Sequence, residues 1–191
     1  MRSVQLSRKT NETDITLALN LDGTGAAKTD TGVGFLDHML TLLARHGGVD
    51  LTVTCKGDLY VDAHHTTEDV GIVLGKAIAQ ALGDKAGIAR YASEFVPMDE
   101  ALVAAHLDVS GRPYLANNIN LQGSIGNFDC ELVEEFFRAV CTNAGLTLHL
   151  RMLDGVNRHH IIEAAFKAFG RALGAAVKVV GTQIPSTKGV L

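Results

Sequence analysis

One pattern occurs twice in this chain. His64-His65-Thr66-Thr67-Glu68 and His159-His160-Ile161-Ile162-Glu163 share the form HHxxE and lie about 95 residues apart. The same spacing pairs Gly75-Lys76-Ala77 with Gly170-Arg171-Ala172. Upstream, a slightly larger spacing pairs Leu36-Asp37-His38-Met39 with Val133-Glu134-Glu135-Phe136, and Gly48 with Gly145. Self-similarity across motifs, glycines and apolar positions indicates an internal duplication. Each half must then build the same unit, and the apolar face of that unit has to be buried against something.

Periodicity says what the unit is. Ile15, Leu17, Leu19 and Leu21 alternate with polar or small residues, the period of a half-buried strand, and the first 21 residues read as two strands. Leu21-Asp22-Gly23-Thr24-Gly25 is a turn. A helix over 35–46 ends at Gly47-Gly48, a strand runs from Val49 to Cys55, and a helix follows from Thr66 to Leu82. Val70, Val73, Leu74, Ala77, Ile78 and Ala81 form its apolar stripe. The second half reads as strands over Tyr91–Val96, Ala101–Val109 and Tyr114–Leu121, a helix over 131–143, a strand over Leu146–Met152 and a helix over 160–178. The halves, 1–89 and 90–191, are thus ββαβα-like, with an extra strand in the second. The expected fold is α+β, one compact domain with two sheets packed around a shared four-helix layer.

Composition narrows the function classes. The net charge of -4, without long runs of either sign, argues against a general nucleic-acid binder, which needs a basic face. The N-terminus lacks the apolar core of a signal peptide, and no stretch reaches the ~20 apolar residues of a membrane span. Cys55, Cys130 and Cys141 have no metal-ligand spacing and read as reduced, mostly buried thiols of a cytoplasmic protein. With no Trp and 5% aromatics, the core is expected to be aliphatic.

The HHxxE pairs carry the chemistry. A Glu three or four residues after a His lies on the same helix face. Adjacent histidines project in different directions, so one pair can serve two metals, or one metal and a substrate. Imidazole with carboxylate suits Mn, Fe, Co or Zn. A single such motif is as readily a polar helix start; two at equivalent places favour ligands. His38 is a further candidate ligand. His46 has three readings: ligand, proton shuttle or helix C-terminal cap. Asp62 either caps or orients the first motif, or is an ordinary loop residue. His106 and His149, on presumed strands, read as structural. Arg90, Arg112, Lys167, Arg171 and Lys188 are scattered, and Pro185-Ser186-Thr187-Lys188-Gly189 has the hydroxyls and charge of a phosphate contact.

Taken in order, NETDI, TGVGFLDHML, DAHHTTEDVGI, PMDEAL, DVSGRPYL, LVEEFFRAV, HHIIEAAFKAFGRAL and PSTKGVL resemble the imidazoleglycerol-phosphate dehydratase family along nearly the whole chain. The resemblance implies a metal-dependent hydro-lyase of histidine biosynthesis, converting imidazoleglycerol phosphate to imidazoleacetol phosphate and water. It implies two Mn²⁺ per subunit, other divalent transition metals being possible, with His38, His64, His65, Glu68, His159, His160 and Glu163 as ligands. Glu135 stands where many relatives carry a further ligand His; either it coordinates as a carboxylate, or the second metal loses a ligand or recruits another group. Arg90, Arg112, Lys167, Ser186 and Lys188 correspond to the phosphate pocket. Glu12 corresponds to a glutamate that reaches the substrate and takes part in proton transfer. The catalytic candidates are Glu12, His46, His65 and Glu68. The resemblance also implies a homo-oligomer of trimers packed into a 24-subunit shell, with sites built from neighbouring subunits.

Two other classes fit an HHxxE pair. A metal-dependent hydrolase is disfavoured by the absence of HExxH. A structural or storage metal protein of the ferritin-like kind would need long helices throughout, against the many strand and glycine signals here.

Overall fold

The computed structural model describes residues 2–191. The first half forms β1 (Ser3–Lys9), β2 (Thr13–Asn20), β3 (Ala27–Asp30), α1 (Gly34–Gly47), β4 (Asp50–Gly57) and α2 (His64–Leu82). The second forms β5 (Tyr91–Met98), β6 (Ala101–Asp108), β7 (Tyr114–Asn117), a small hairpin of β8 (Ser124–Ile125) and β9 (Phe128–Asp129), α3 (Leu132–Ala144), β10 (Thr147–Asp154) and α4 (Arg158–Ala176). The two main sheets have the orders β1-β2-β4-β3 and β5-β6-β10-β7. In each, the first three strands are antiparallel and the last joins in parallel. The α+β architecture and the duplication are therefore present in the backbone.

Strand alternation works as expected. Ile15, Leu17 and Leu19 of β2 and Leu51 and Val53 of β4 turn inward and are fully buried or nearly so. The extra strand, expected in the second half alone, is in both. The missed one is β3, whose Ala-Lys-Thr-Asp has no apolar alternation and exists through parallel pairing with β4. The strand expected over Tyr114–Leu121 stops at Asn117, because the Asn117 side chain accepts the Ile119 backbone N–H at 3.0 Å and turns the chain away. Both HH pairs lie within the first turn of their helices, two residues earlier than the periodicity suggested.

The halves meet through their helices: α1 packs on α4, and α2 on α3. The repeated glycines mark these crossings. A Cβ on Gly170 would lie 2.6 Å from the Leu43 carbonyl oxygen, and one on Gly75 would lie 2.7 Å from that of Val140. Leu43 and Val140 are themselves repeat partners, so the same backbone contact is made twice. Gly48 and Gly145 end α1 and α3 in the left-handed conformation that glycine adopts without strain. The core is not wholly aliphatic. Phe136, Phe137, Phe166 and Phe169 stack between α3 and α4 with centroids 4.8–5.3 Å apart. Four of the seven phenylalanines meet there, which composition cannot reveal. All three cysteines are free and buried. No helix among the described residues is long and apolar enough to cross a membrane.

Candidate active site

The helix starts position the histidines, with the same side-chain contact to the first of each pair. Asp62 Oδ1 accepts the His64 backbone N–H at 2.8 Å, and Asn157 Oδ1 accepts that of His159 at 2.9 Å. Asp62 and Asn157 occupy the same place in the repeat, so each first histidine is held by a side-chain oxygen two residues before it; Asn157 is also the N-cap of α4, whereas Ala63 caps α2 without a side-chain bond. Within each pair the rings are nearly perpendicular (79° and 81°) with centroids 6.2 Å apart, so the two imidazoles face different surroundings.

The first histidine of each pair turns along its helix to the glutamate four residues on. His159 Nε2 is 3.0 Å from Glu163 Oε2, and His64 Nε2 is 3.8 Å from Glu68 Oε2. The second-half cluster gains a third member from the first half. His38, on α1, brings its Nε2 to 3.3 Å from Glu163 Oε2. Donor atoms of His38, His159 and Glu163 all lie within 4.8 Å of one another, and no other such group of three occurs among the described residues. Phe35 packs edge-on against His159. Lys167, also on α4, holds Glu163 Oε1 at 2.6 Å. Burial would raise the Glu163 carboxyl, but the Lys167 bond and charge, with His159 and His38, outweigh it and hold the group below the usual carboxylate range.

The second histidine of each pair turns toward the loops at the end of its own sheet. His65 has Nδ1 at 3.0 Å from Asp58 Oδ2 and Nε2 at 3.8 Å from Glu12 Oε1. His160 has Nδ1 at 2.8 Å from Glu100 Oε2 and Nε2 at 3.9 Å from Asp99 Oδ2. Both rings are raised above the ordinary histidine range, chiefly by these hydrogen bonds to Asp58 and Glu100. Glu100 is lowered to about 2, first by the His160 bond and then by the Asn157 backbone N–H. The turn that carries Glu12 is tied to α2 by Asp69, a buried carboxylate that Arg8 and Thr13 each reach at 2.5 Å.

Arg90, Arg112, Ser186 and Lys188 line one pocket with Tyr91, Ser110 and Thr187. Arg90 is largely committed inside the chain: its guanidinium donates to both Asp108 oxygens at 2.8 and 3.3 Å and to the Pro185 carbonyl at 2.8 Å, which folds the C-terminal tail back over the pocket. Lys167 is not in this pocket. His46 is exposed near the end of α1 and joins no ligand cluster among the described residues; desolvation first, then the charges of Lys167 and Arg171, lower its pKa. Glu135 faces a pocket with Asn117, Asn120, Gln122, Glu131 and Glu134. His106 and His149 are cross-strand neighbours on β6 and β10, bonded to Ser93 and Arg151. Sequence reasoning missed Asp58, Glu100 and Asp69.

The imidazoleglycerol-phosphate dehydratase family description matches residues 31–173, across both motifs. A relative of that name from Acetivibrio thermocellus is 61% identical over all of this chain and 99% of its own length. This chain belongs to the imidazoleglycerol-phosphate dehydratase family. A second member, from Oceanobacillus iheyensis, is 56% identical over the full length of both chains. The family's crystal structure from Staphylococcus aureus superposes with a TM-score of 0.84 at 45% identity, over 93% of this chain and 99% of that one. The one from Pyrococcus furiosus, in complex with (S)-C348, gives 0.86 at 38% identity, over 97% of this chain and 100% of that one. Members of this dehydratase family are hydro-lyases, and this chain is an enzyme of that class.

Proposed function

We propose that the chain converts imidazoleglycerol phosphate to imidazoleacetol phosphate and water in histidine biosynthesis, in the cytoplasm, and that it needs two divalent transition metal ions per subunit, Mn²⁺ foremost. The observation that carries the metal reading is the convergence of His38, His159 and Glu163. Two imidazole nitrogens and a buried carboxylate are a borderline donor set that fits such an ion. His38, His159 and Glu163 would hold one ion; His64, His65, Glu68 and His160 supply the remaining donors, with Glu135 as an oxygen ligand. When bound, the ions supply Lewis-acid charge that stabilises negative charge on the substrate's imidazole ring.

The side chains do the rest. Water leaves from two adjacent carbons of the glycerol side chain: a hydroxyl from the ring-attached carbon and a proton from the next, leaving an enol that becomes the ketone. Glu12 Oε1, beside His65 Nε2, is the group to move a proton there. His46, whose lowered pKa favours a neutral ring, is the second candidate base. Arg90, Arg112, Ser186 and Lys188 would hold the phosphate away from the reacting carbons, with Lys167 contributing from α4.

Strand geometry supports a site shared between subunits. The Glu100–His160 contact lies at the start of β6 and the phosphate pocket beyond its end. Eight residues of strand span roughly 25 Å, too far for one small substrate to bridge. A phosphate pocket from one chain would therefore serve histidines of another, as in the trimers and 24-subunit shell expected for the family. The outer face of the second sheet supports such assembly, since Tyr91, Phe95 and Tyr114 are each more than half exposed.

Turnover of imidazoleglycerol phosphate by chelator-stripped protein, with and without Mn²⁺, tests the reading. Restored activity is expected. A folded, assembled, metal-loaded sample without turnover would leave the metals a structural role.

A further inference from the structure

We infer that Asp58 and Glu100 are positioning carboxylates, one in each half, that fix the ring orientation and tautomer of His65 and His160 and leave each Nε2 lone pair free for a metal ion. The inference rests on the metal reading above. An ionised carboxylate only accepts hydrogen bonds. The ring nitrogen 3.0 Å from Asp58 and the one 2.8 Å from Glu100 must therefore carry the proton. A neutral imidazole has one N–H, so both Nε2 atoms are left as lone pairs. A carboxylate behind a ligating histidine also raises its basicity and restricts its ring.

Both carboxylates are themselves held. Asp58 closes β4, and its backbone N–H donates to the Glu12 carbonyl at 3.0 Å. Its side chain is 13% exposed, and its other oxygen, Oδ1, is buried without a partner. Glu100 accepts the backbone N–H groups of Val156 and Asn157 at 3.3 and 2.8 Å, which pins the β5–β6 turn to the start of α4.

The two do not correspond in the repeat. Asp58 follows β4, whereas Glu100 lies between β5 and β6; the segment after β10 has Gly155 instead of a carboxylate. In the first half, the hairpin turn offers Glu12 to the Nε2 side instead. Duplication alone would place like residues at like positions. Non-equivalent residues arriving at the same nitrogen of equivalent histidines point to a requirement for that contact.

The test is Co²⁺ binding by the assembled, metal-stripped protein, in competition with a chromophoric chelator. It compares wild type with Asp58→Asn, Asp58→Ala, Glu100→Gln and Glu100→Ala. The amides keep an acceptor and lose the charge; the alanines lose both. Affinity should fall about 10–100-fold, more for alanine than for amide. The Co²⁺ ligand-field spectrum should change, while the melting midpoint of the stripped amide variants, which keep an acceptor oxygen, stays near that of wild type. Affinities within twofold of wild type and an unchanged spectrum would overturn the inference, and the amide variants decide if an alanine variant does not fold. Wild type is measured first: if it binds no Co²⁺, the metal reading itself fails.

Discussion

The two HHxxE copies begin alike and end differently. In the second half, Glu163 is buried, Lys167 neutralises it, and His38 crosses from the other half to meet it. In the first half, Glu68 and His64 are each more than 40% exposed and 3.8 Å apart, with no third ligand within reach among the described residues. Two substitutions account for this. Ile72 stands where the repeat has Lys167, so Glu68 has no cation one turn away. Glu135 stands where the repeat has His38, and it faces the pocket of Asn117 and Gln122, so α3 carries a carboxylate where α1 carries the imidazole that meets Glu163. The same backbone thus makes one cluster that is nearly complete within the chain and one that is open.

Neutralising the two glutamates should separate the copies most strongly. Glu163→Gln breaks a nearly buried ion pair and leaves Lys167 unpaired, a change worth roughly 3 kcal/mol. Glu68→Gln removes an exposed contact worth under about 1 kcal/mol. Chemical denaturation of the stripped proteins reads this directly, and equal losses would mean that Lys167 does not stabilise Glu163. Both variants should lose bound metal and at least about 100-fold in turnover, more than an outer contact costs.

The hairpin glutamates should differ in kind. Glu12→Gln is expected to cut turnover about 10²–10⁴-fold, the range of general acid–base catalysis, with metal content intact. Unchanged turnover would remove Glu12 from the mechanism, and lost metal would make it a ligand.

Where the halves are alike, matched variants should behave alike. Gly75→Ala and Gly170→Ala each drive a methyl group onto a carbonyl oxygen of the facing helix, costing about 1–3 kcal/mol apiece by overpacking. Melting midpoints should drop by similar amounts; a large inequality would show that one crossing relaxes and the other does not.

The legible parts of the site were those that helix period converts into geometry. His64 with Glu68 and His159 with Glu163 need only the i, i+4 rule, and the pairing of Lys167 with Glu163 could have been found the same way. The duplication led each half to be read as the same ββαβα unit, although it gave the extra strand to the second half alone. Asp58 lies close in sequence to His65, but their contact depends on a loop. Glu100 is 60 residues from His160, and Asp69 is 61 from Arg8. Such contacts are made by hairpin turns packing on helix starts, which no local periodicity encodes. β3 was hidden for a related reason, because its partner strand, not its own side chains, makes it a strand.

The finest test of the comparison is Glu135→His. The α2–α3 crossing at Gly75 repeats the α1–α4 crossing at Gly170, so a histidine at 135 should stand over His64 and Glu68 as His38 stands over His159 and Glu163. It would put a neutral donor at the position where α3 now carries a carboxylate. Stability should change little, since Glu135 is only half-buried. Co²⁺ affinity of the more weakly binding site should rise a few-fold, roughly 1 kcal/mol or less, the scale of a half-exposed electrostatic contact. A rise would show that the open cluster is open because of this one residue. No change, with binding otherwise normal, would show that the first-half ligands are completed by a neighbouring subunit and that α3 has no part in them.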